Sequence, residues 1–187
     1  MKQLIPSLFV LMIVGCSDSI PIEASNTPSP DDLIAHSEEF RKEVIEVTDG
    51  VHVAVGYALA NAILVEGDNS NIIIDTTGTV ETAREVKELF DSINSNPIEA
   101  IIYTHNHADH TYGATVFAED STEIYAHDST EKYLSRVIGI LRPIISSRSS
   151  RMFGNVLPSD EVENNGIGPF LEIGRDGRKP GLLYPTK

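Results

Sequence analysis

Cysteine and positively charged side chains are scarce in this chain of 187 residues. With a single cysteine, Cys16, it can form no internal disulfide and no cysteine-cluster metal site, so any metal must be held by His, Asp and Glu. The 14 Lys and Arg are outnumbered by 28 Asp and Glu, giving a formal net charge of −14. Because such a field repels polyanions, the composition argues against non-specific binding to nucleic acids or anionic lipid faces. The length favours one domain.

The sequence also has no apolar run long enough to span a bilayer, which needs about 20 residues. Residues 4–14 are mainly apolar and follow Lys2, as in a secretory signal peptide. They lead into Ile13-Val14-Gly15-Cys16, which resembles the lipobox of bacterial lipoproteins. This resemblance predicts a signal peptide over residues 1–15 and lipidation of Cys16, so that the exported chain is anchored to a bacterial membrane at its periplasmic or outer-membrane face. The alternative is an ordinary secretory signal with an incidental cysteine.

Residues 16–30 favour a flexible tether after the lipidated cysteine, because Ser, Pro, Asn and Thr dominate and apolar periodicity is absent. The folded domain is therefore expected over residues 31–187, beginning with a short helix over residues 31–41.

Alternating and turn-bounded apolar runs predict strands over residues 44–47, 51–55, 62–65 and 72–75. The last run is apolar without alternation, so we expect it to be buried on both faces. Helical spacing of apolar residues then predicts a helix over residues 79–93, followed by a strand over residues 98–103. The pattern indicates an α/β fold with a β–α–β unit.

This unit runs into the most unusual segment, residues 104–110, where three of the six histidines accompany one carboxylate. In an extended loop His105 and His107 can point to the same side and reach one ion. A turn after His107 would bring Asp109 and His110 to a second ion. Zinc suits these ligand types best, with iron or manganese as alternatives. Two-metal hydrolytic sites hold their ions roughly 3.5–4 Å apart and activate a bridging water as the nucleophile.

The remaining histidines are less suited to a ligand role. His36 falls on the first helix and His52 within a strand, where structural or surface roles are expected. His127 follows a short strand-like run and could face the site from a neighbouring strand end. If the clustered residues held no metal, a dense hydrogen-bond network would have to satisfy them.

The segment resembles the HxHxDH signature of the metallo-β-lactamase superfamily. The flanking sequence is arranged like the alkyl sulfatase branch of that superfamily, and the resemblance covers about residues 44–187. Matching positions are Asn61-Ala62 to Glu66-Gly67, Ile72 to Thr76, Tyr103 to His110 with Gly113, Ala126-His127, Arg148 to Arg151, Phe153-Gly154, Leu157-Pro158 and Gly166 to Pro169.

The resemblance implies an αββα sandwich and a dinuclear zinc site that hydrolyses sulfate esters of long-chain alcohols. It implies that His105 and His107 bind the first zinc and that Asp109 and His110 bind the second. Asp109 would also be catalytic, by orienting the bridging hydroxide. Asp75 matches a family position that supports the loop, although a plain turn role is an equal alternative.

The sequence departs from the family after His127, because no further histidine follows. The signature supplies two ligands per metal, whereas a zinc site needs three or more. Candidate carboxylates remain, including Asp160, Glu161, Glu163 and Glu172, but none lies in a recognisable ligand motif. We therefore expect the N-terminal portion of the fold, with one sheet, its helices and an inner sheet face that lacks a partner.

The segment 129–158 carries a helical stripe that Arg142-Pro143 is expected to interrupt. Arg148 and Arg151 follow in a Ser-rich stretch. They could attract a sulfate ester, or they could pair with the carboxylates of this acidic protein.

The resemblance favours a zinc-dependent hydrolase of sulfate esters that uses metal-bound hydroxide as nucleophile, with a long-chain alkyl sulfate as substrate. One alternative is another hydrolase on the same fold, acting on β-lactams or thioesters. Another is a non-catalytic metal-binding lipoprotein. The charge disfavours nucleic-acid processing. The sequence leaves the oligomeric state open, a homo-oligomer included.

Overall fold

The structure is a computed structural model that describes residues 29–154, 156–158, 161–174 and 177–187. The predicted signal peptide, the lipidation site Cys16 and most of the predicted tether lie outside the described residues. The described part has one six-stranded sheet and a few helices, which confirms the α/β class.

The strands are β1 (Glu43–Thr48), β2 (Val51–Val55), β3 (Ala62–Glu66), β4 (Asn71–Ile74), β5 (Ile98–Ile102) and β6 (Glu123–Tyr125). The helices are α1 (Pro30–Ser37), α2 (Val80–Ile93), α3 (Ala108–Thr111), α4 (Ala114–Phe117), α5 (Thr130–Arg136) and α6 (Arg142–Met152). A 3₁₀ turn, Glu38–Phe40, follows α1, and a π-helical segment, Val137–Leu141, joins α5 to α6. The predicted strands and the predicted helix over residues 79–93 are confirmed to within about two residues.

The strands lie in the sheet in their order along the chain. Strands β1 to β4 form an antiparallel meander, whereas β4, β5 and β6 run parallel. The two parallel connections are α2 and the α3–α4 segment. Because parallel strands end at the same edge, the residues that follow β4 and β5 meet there. This edge carries the histidine cluster.

Helix α2 begins where its sequence predicts. The side chain of Thr79 accepts a hydrogen bond from the backbone N–H of Thr82 and caps the helix. Val86 and Phe90 lie on the buried face of the helix, together with Ala83. This face packs on the sheet and fixes the β4–α2–β5 unit that positions the site.

The hydrophobic core lies on one face of the sheet. The buried side chains of this core include Ala54, Leu64, Ile73, Ile101, Ile124, Val86, Phe90 and Phe117. On β4, Asn71 and Ile73 are buried while Ile72 and Ile74 are only half-buried. The expectation that this strand is buried on both faces is therefore wrong, because within the described residues helices seal only one side. The second side is apolar and partly covered.

The segment after β6 differs from expectation at Pro143. Residues 130–152 form one continuous helix, whereas the sequence predicted an interruption at Arg142-Pro143. Proline lacks the N–H that a regular helix needs, but Pro143 lies in the first turn of α6, directly after the π-helical segment. The regular hydrogen-bond ladder is already broken there, so the missing donor costs little. No helix in the described part of the chain is long and apolar enough to cross a membrane.

Candidate metal centre

The histidine cluster lies where β5 gives way to α3. Strand β5 ends at Ile102, and His105 and His107 follow in the loop that precedes α3. His107 is the N-cap residue of α3, so Asp109 and His110 fall in the first turn beyond it. The predicted turn after His107 is thus this short helix, which folds Asp109 and His110 back toward the loop.

Asp75 holds this loop from the end of the neighbouring strand. Its Oδ1 accepts a hydrogen bond from the backbone N–H of Thr104 at 2.9 Å, and its Oδ2 accepts one from the Thr104 hydroxyl at 2.7 Å. The same Oδ2 lies 2.7 Å from Nδ1 of His110. The backbone of Asp75 has a φ of 58°, a left-handed conformation that aspartate tolerates better than most residues. The predicted supporting role of Asp75 is therefore observed.

The three imidazole rings pack directly against one another. The ring of His105 lies 4.5 Å from that of His107 and 4.1 Å from that of His110, measured between centroids. The Oδ2 of Asp109 lies 3.4 Å from Nε2 of His110. The structure thus brings together all four residues that the sequence singled out as metal ligands.

The electrostatics of the cluster shift the pKa values of His105 and His110 in opposite directions. Burial and the neighbouring histidines lower the pKa of His105, which favours the neutral ring that binds metals. Burial alone would lower the pKa of His110, but Asp109 and Asp75 outweigh it and raise the pKa to about 9. Burial would raise the pKa of Asp109, but His110 outweighs it and lowers the pKa. If His110 bound a metal through Nε2, its ring would have to release the proton that its raised pKa favours keeping.

The backbone of residues 75–77 packs tightly on the α3–α4 segment. The carbonyl oxygen of His110 accepts hydrogen bonds from the N–H of Thr76 at 2.8 Å and from its hydroxyl at 3.0 Å. The N–H of Gly113 donates to the carbonyl oxygen of Thr77. A Cβ on Gly113 would overlap the carbonyl oxygen of Thr76 and lie 2.5 Å from Cβ of Ala83. Only glycine therefore allows the two backbones to approach this closely at position 113.

Glu172 is a buried carboxylate next to this assembly. Its side chain is 0% exposed. Its Oε1 accepts a hydrogen bond from the N–H of Gly78 at 2.9 Å, and its Oε2 accepts one from the N–H of Leu59 at 3.3 Å. Burial, with a contribution from the charge of Asp109, raises the pKa of Glu172 despite these bonds. The sequence named Glu172 as a candidate ligand, but both of its oxygens are engaged with backbone donors.

The other candidates lie outside the cluster. His36 pairs with Glu39 on the surface, and the largely buried His52 lies 2.7 Å from Glu66, as structural roles predict. His127 is exposed, and its Nδ1 bonds to Ser129 at the start of α5. Glu161 and Glu163 are exposed, as are Arg148 and Arg151, whereas Asp160 falls outside the described residues. Nothing in the sequence signalled the pairing of residues 76 and 77 with the α3–α4 segment, because two threonines carry no motif.

The donor chemistry of the cluster fits zinc. Three imidazoles and the Asp109 carboxylate are the ligand types zinc prefers, and the Asp75–His110 hydrogen bond is the carboxylate–histidine arrangement that orients a metal ligand. Within the described residues, however, no group of three or more His, Cys, Asp or Glu side chains is positioned to hold one ion.

Comparison with known proteins identifies the class. Residues 55–145 match the metallo-β-lactamase superfamily. The solved structure of the stereoselective inverting sec-alkylsulfatase Pisa1 from Pseudomonas sp. shares the fold, with a TM-score of 0.68 at 22% sequence identity over 78% of this chain and 24% of that chain. Residues 55–145 therefore form a metallo-β-lactamase domain, as the signature predicted.

Two curated relatives are more similar in sequence. The 2,4-dinitroanisole O-demethylase subunit alpha of Nocardioides sp. (strain JS1661) is 31% identical over 150 residues, which cover 80% of this chain and 38% of the relative. The alkyl/aryl-sulfatase of Saccharomyces cerevisiae is 41% identical over 145 residues, which cover 70% of this chain and 22% of the relative. The chain thus spans about a fifth to two fifths of the length of these relatives.

Proposed function

We propose that the chain carries the metal centre of a zinc-dependent hydrolase of sulfate esters. The observation that carries the proposal is the mutual contact of His105, His107, Asp109 and His110. Asp75 holds this cluster at the edge of the sheet. The 41% identity to an alkyl/aryl-sulfatase supports sulfate esters as the substrate class. A long-chain alkyl sulfate is the proposed substrate.

In this proposal His105 and His107 would hold one zinc ion, and Asp109 and His110 would hold a second. Bound zinc ions supply Lewis acidity at the ester and lower the pKa of the attacking water. Asp75 keeps His110 in one orientation, because Nδ1 is engaged and Nε2 faces Asp109, the other proposed ligand of the second zinc. Asp109, whose carboxylate stays ionised through its lowered pKa, can accept a hydrogen bond from the attacking water and so orient it.

The first test is the zinc content of the purified chain, together with hydrolysis of dodecyl sulfate. His107→Ala removes one proposed ligand, whereas His127→Ala removes an exposed imidazole that bonds only to Ser129 within the described residues. We expect His107→Ala to lose zinc and turnover and His127→Ala to keep the zinc content of the wild type. Equal zinc content in the wild type and in both variants would refute the ligand assignment.

A second candidate is ether cleavage, because the match to the 2,4-dinitroanisole O-demethylase subunit covers the larger share of this chain. The same assay with 2,4-dinitroanisole in place of dodecyl sulfate separates the two. Zinc binding with turnover of neither compound would favour the non-catalytic metal-binding alternative or a β-lactam or thioester substrate.

We also propose that the chain is exported and anchored to a bacterial membrane through lipid on Cys16, which lies outside the described residues. The support is the lipobox-like sequence that ends at this residue. Labelling of cells with radioactive palmitate tests the proposal. The wild type should incorporate label and sediment with membranes, and Cys16→Ser should do neither. Labelling of the variant would contradict the proposal.

A further inference from the structure

Positive charge is concentrated on the continuous helix of residues 130–152. Of the 14 Lys and Arg of the chain, five lie here, namely Lys132, Arg136, Arg142, Arg148 and Arg151, whereas of the 28 Asp and Glu only Glu131 does. None of these five cations forms an ion pair with a carboxylate of the described residues. Arg41, Lys42, Lys87 and Lys187 all do. The helix is therefore a cationic surface on an otherwise strongly acidic protein.

The same helix exposes large apolar side chains. Leu134 anchors α5 in the core, but neither the π-helical segment nor α6 has a buried residue. Ile140 is 71% exposed and Ile144 is 59% exposed. Each exposed isoleucine would gain free energy if a partner removed it from water. An exposed apolar surface flanked by charged residues therefore indicates an interaction site.

Three of the five cations and these two isoleucines fall on one line along the helix. Lys132, Arg136, Ile140, Ile144 and Arg148 follow one another in steps of four residues, and all five are exposed. We name this set the cationic stripe. Steps of four drift around a regular helix of 3.6 residues per turn. The π-helical segment has more residues per turn and offsets part of that drift, so the stripe stays on one side.

We propose that the cationic stripe docks on the surface of an anionic phospholipid bilayer. Its cations lie at both ends and its isoleucines in the middle, so that the isoleucines can enter the headgroup–acyl boundary while the longer side chains reach lipid phosphates. A nucleic acid would satisfy the cations but would leave the isoleucines in water. An anionic bilayer repels the rest of this acidic chain and attracts the stripe, so the chain should approach the bilayer with the stripe facing it.

The docking proposal stands apart from the proposed function, since it uses no residue of the metal centre. It also refines the exclusion drawn from the net charge, which holds for the chain as a whole but not for this helix. Lipid on Cys16, as proposed above, would hold the chain at the same bilayer.

The experiment is vesicle cosedimentation of the full chain with Cys16→Ser, which removes the lipidation site. Vesicles of phosphatidylcholine with phosphatidylglycerol are compared with vesicles of phosphatidylcholine alone. The stripe variant carries Lys132→Gln, Arg136→Gln and Arg148→Gln. A matched control carries Arg41→Gln, Arg84→Gln and Lys187→Gln, three exposed cations away from the helix, so both variants have the same net charge.

We expect the stripe variant to bind anionic vesicles roughly 100-fold more weakly at low salt than the chain that carries Cys16→Ser alone. Each cation near the lipid surface contributes a factor of about five to the binding constant, and the variant lacks three. The control should change far less. Ile140→Ser with Ile144→Ser should weaken binding on the order of tenfold, unlike Ile34→Ser with Val47→Ser, which removes two exposed apolar residues elsewhere. Because residues 1–16 are otherwise the same in every variant, any binding by that segment cancels.

Three results would overturn the proposal. Equal weakening by the two charge variants would mean that only net charge matters. Equal binding of the wild type to neutral and anionic vesicles would remove the electrostatic basis. A dimer in sedimentation velocity that the Ile140→Ser and Ile144→Ser variant dissociates, without a change in vesicle binding, would mean that a second copy covers the stripe.

Discussion

The Oδ2 of Asp75 lies 2.7 Å from Nδ1 of His110 and joins the end of β4 to the short helix α3. The same carboxylate holds the backbone and the hydroxyl of Thr104, which follows β5. One side chain therefore ties two parallel strand ends to the proposed metal ligands. Because Nδ1 is engaged, the orientation of the other ring nitrogen is set before any metal arrives.

Asp75→Asn tests this relationship. Asparagine tolerates the φ of 58° at this position and keeps one acceptor oxygen, so the change mainly removes charge. We expect zinc affinity to fall roughly 10–100-fold, because His110 loses the partner that orients it and makes it basic. Competition with a chromophoric chelator measures the affinity.

The matched control for this change is Asp91→Asn. Asp91 pairs with Lys87 on the exposed side of α2, four residues apart, where such pairs contribute about 0.3–0.5 kcal/mol. Zinc affinity should be unchanged in this variant. If Asp75→Asn also bound zinc as the wild type does, Asp75 would be a turn residue and not a support of the metal centre.

The close approach at Gly113 predicts a large loss of stability on adding a single methyl group. In Gly113→Ala the new Cβ would overlap the carbonyl oxygen of Thr76. The two segments would have to separate, at a cost of about 2–3 kcal/mol or more in the free energy of unfolding. Urea denaturation measures this loss.

Gly139→Ala provides the comparison, because an added Cβ there has no heavy atom within 4 Å. Gly139 lies in the π-helical segment, where alanine should stabilise the helix by up to about 1 kcal/mol. A loss at Gly139 as large as that at Gly113 would mean that the contact with Thr76 is not the cause.

The sequence predicts the elements whose patterns are local. The helix of residues 80–93 follows from apolar spacing, and the meander follows from alternation and turns. It does not predict which sheet face the helices seal, since Ile72 and Ile73 are chemically alike and only packing makes one half-buried and the other buried. Nor does it predict that a helix passes Pro143, because a π-helical segment has no local sequence signature.

The candidate site divides in the same way. The histidines and Asp109 are close in sequence, so their spacing alone places them in one cluster. Asp75 could be assigned by resemblance because it ends a strand. The role of Glu172 depends on contacts with Leu59 and Gly78, which are far away in sequence, so no local pattern could distinguish it from a metal ligand.

Glu172 also predicts a pH dependence of stability. Burial raises the pKa of this carboxyl above its ordinary value of 4.5, so the folded state holds the proton more tightly than the unfolded chain does. Its contribution to stability is therefore greatest below that ordinary value and is lost as the pH rises through the raised pKa. Glu172→Gln cannot ionise but keeps one acceptor oxygen for the backbone donors. The free energy of unfolding of the wild type should thus decrease relative to that of Glu172→Gln as the pH rises from the ordinary value of 4.5 through the raised pKa.

Urea denaturation at several pH values measures this difference, with Glu163→Gln as the control for an exposed carboxyl. The control should show no comparable trend, because the side chain of Glu163 is exposed whereas that of Glu172 is buried. A wild-type advantage over Glu172→Gln that grew with pH would show that the two backbone N–H donors outweigh burial. The ionised carboxylate would then be the form that clamps the loops of Leu59 and Gly78 beside the metal centre.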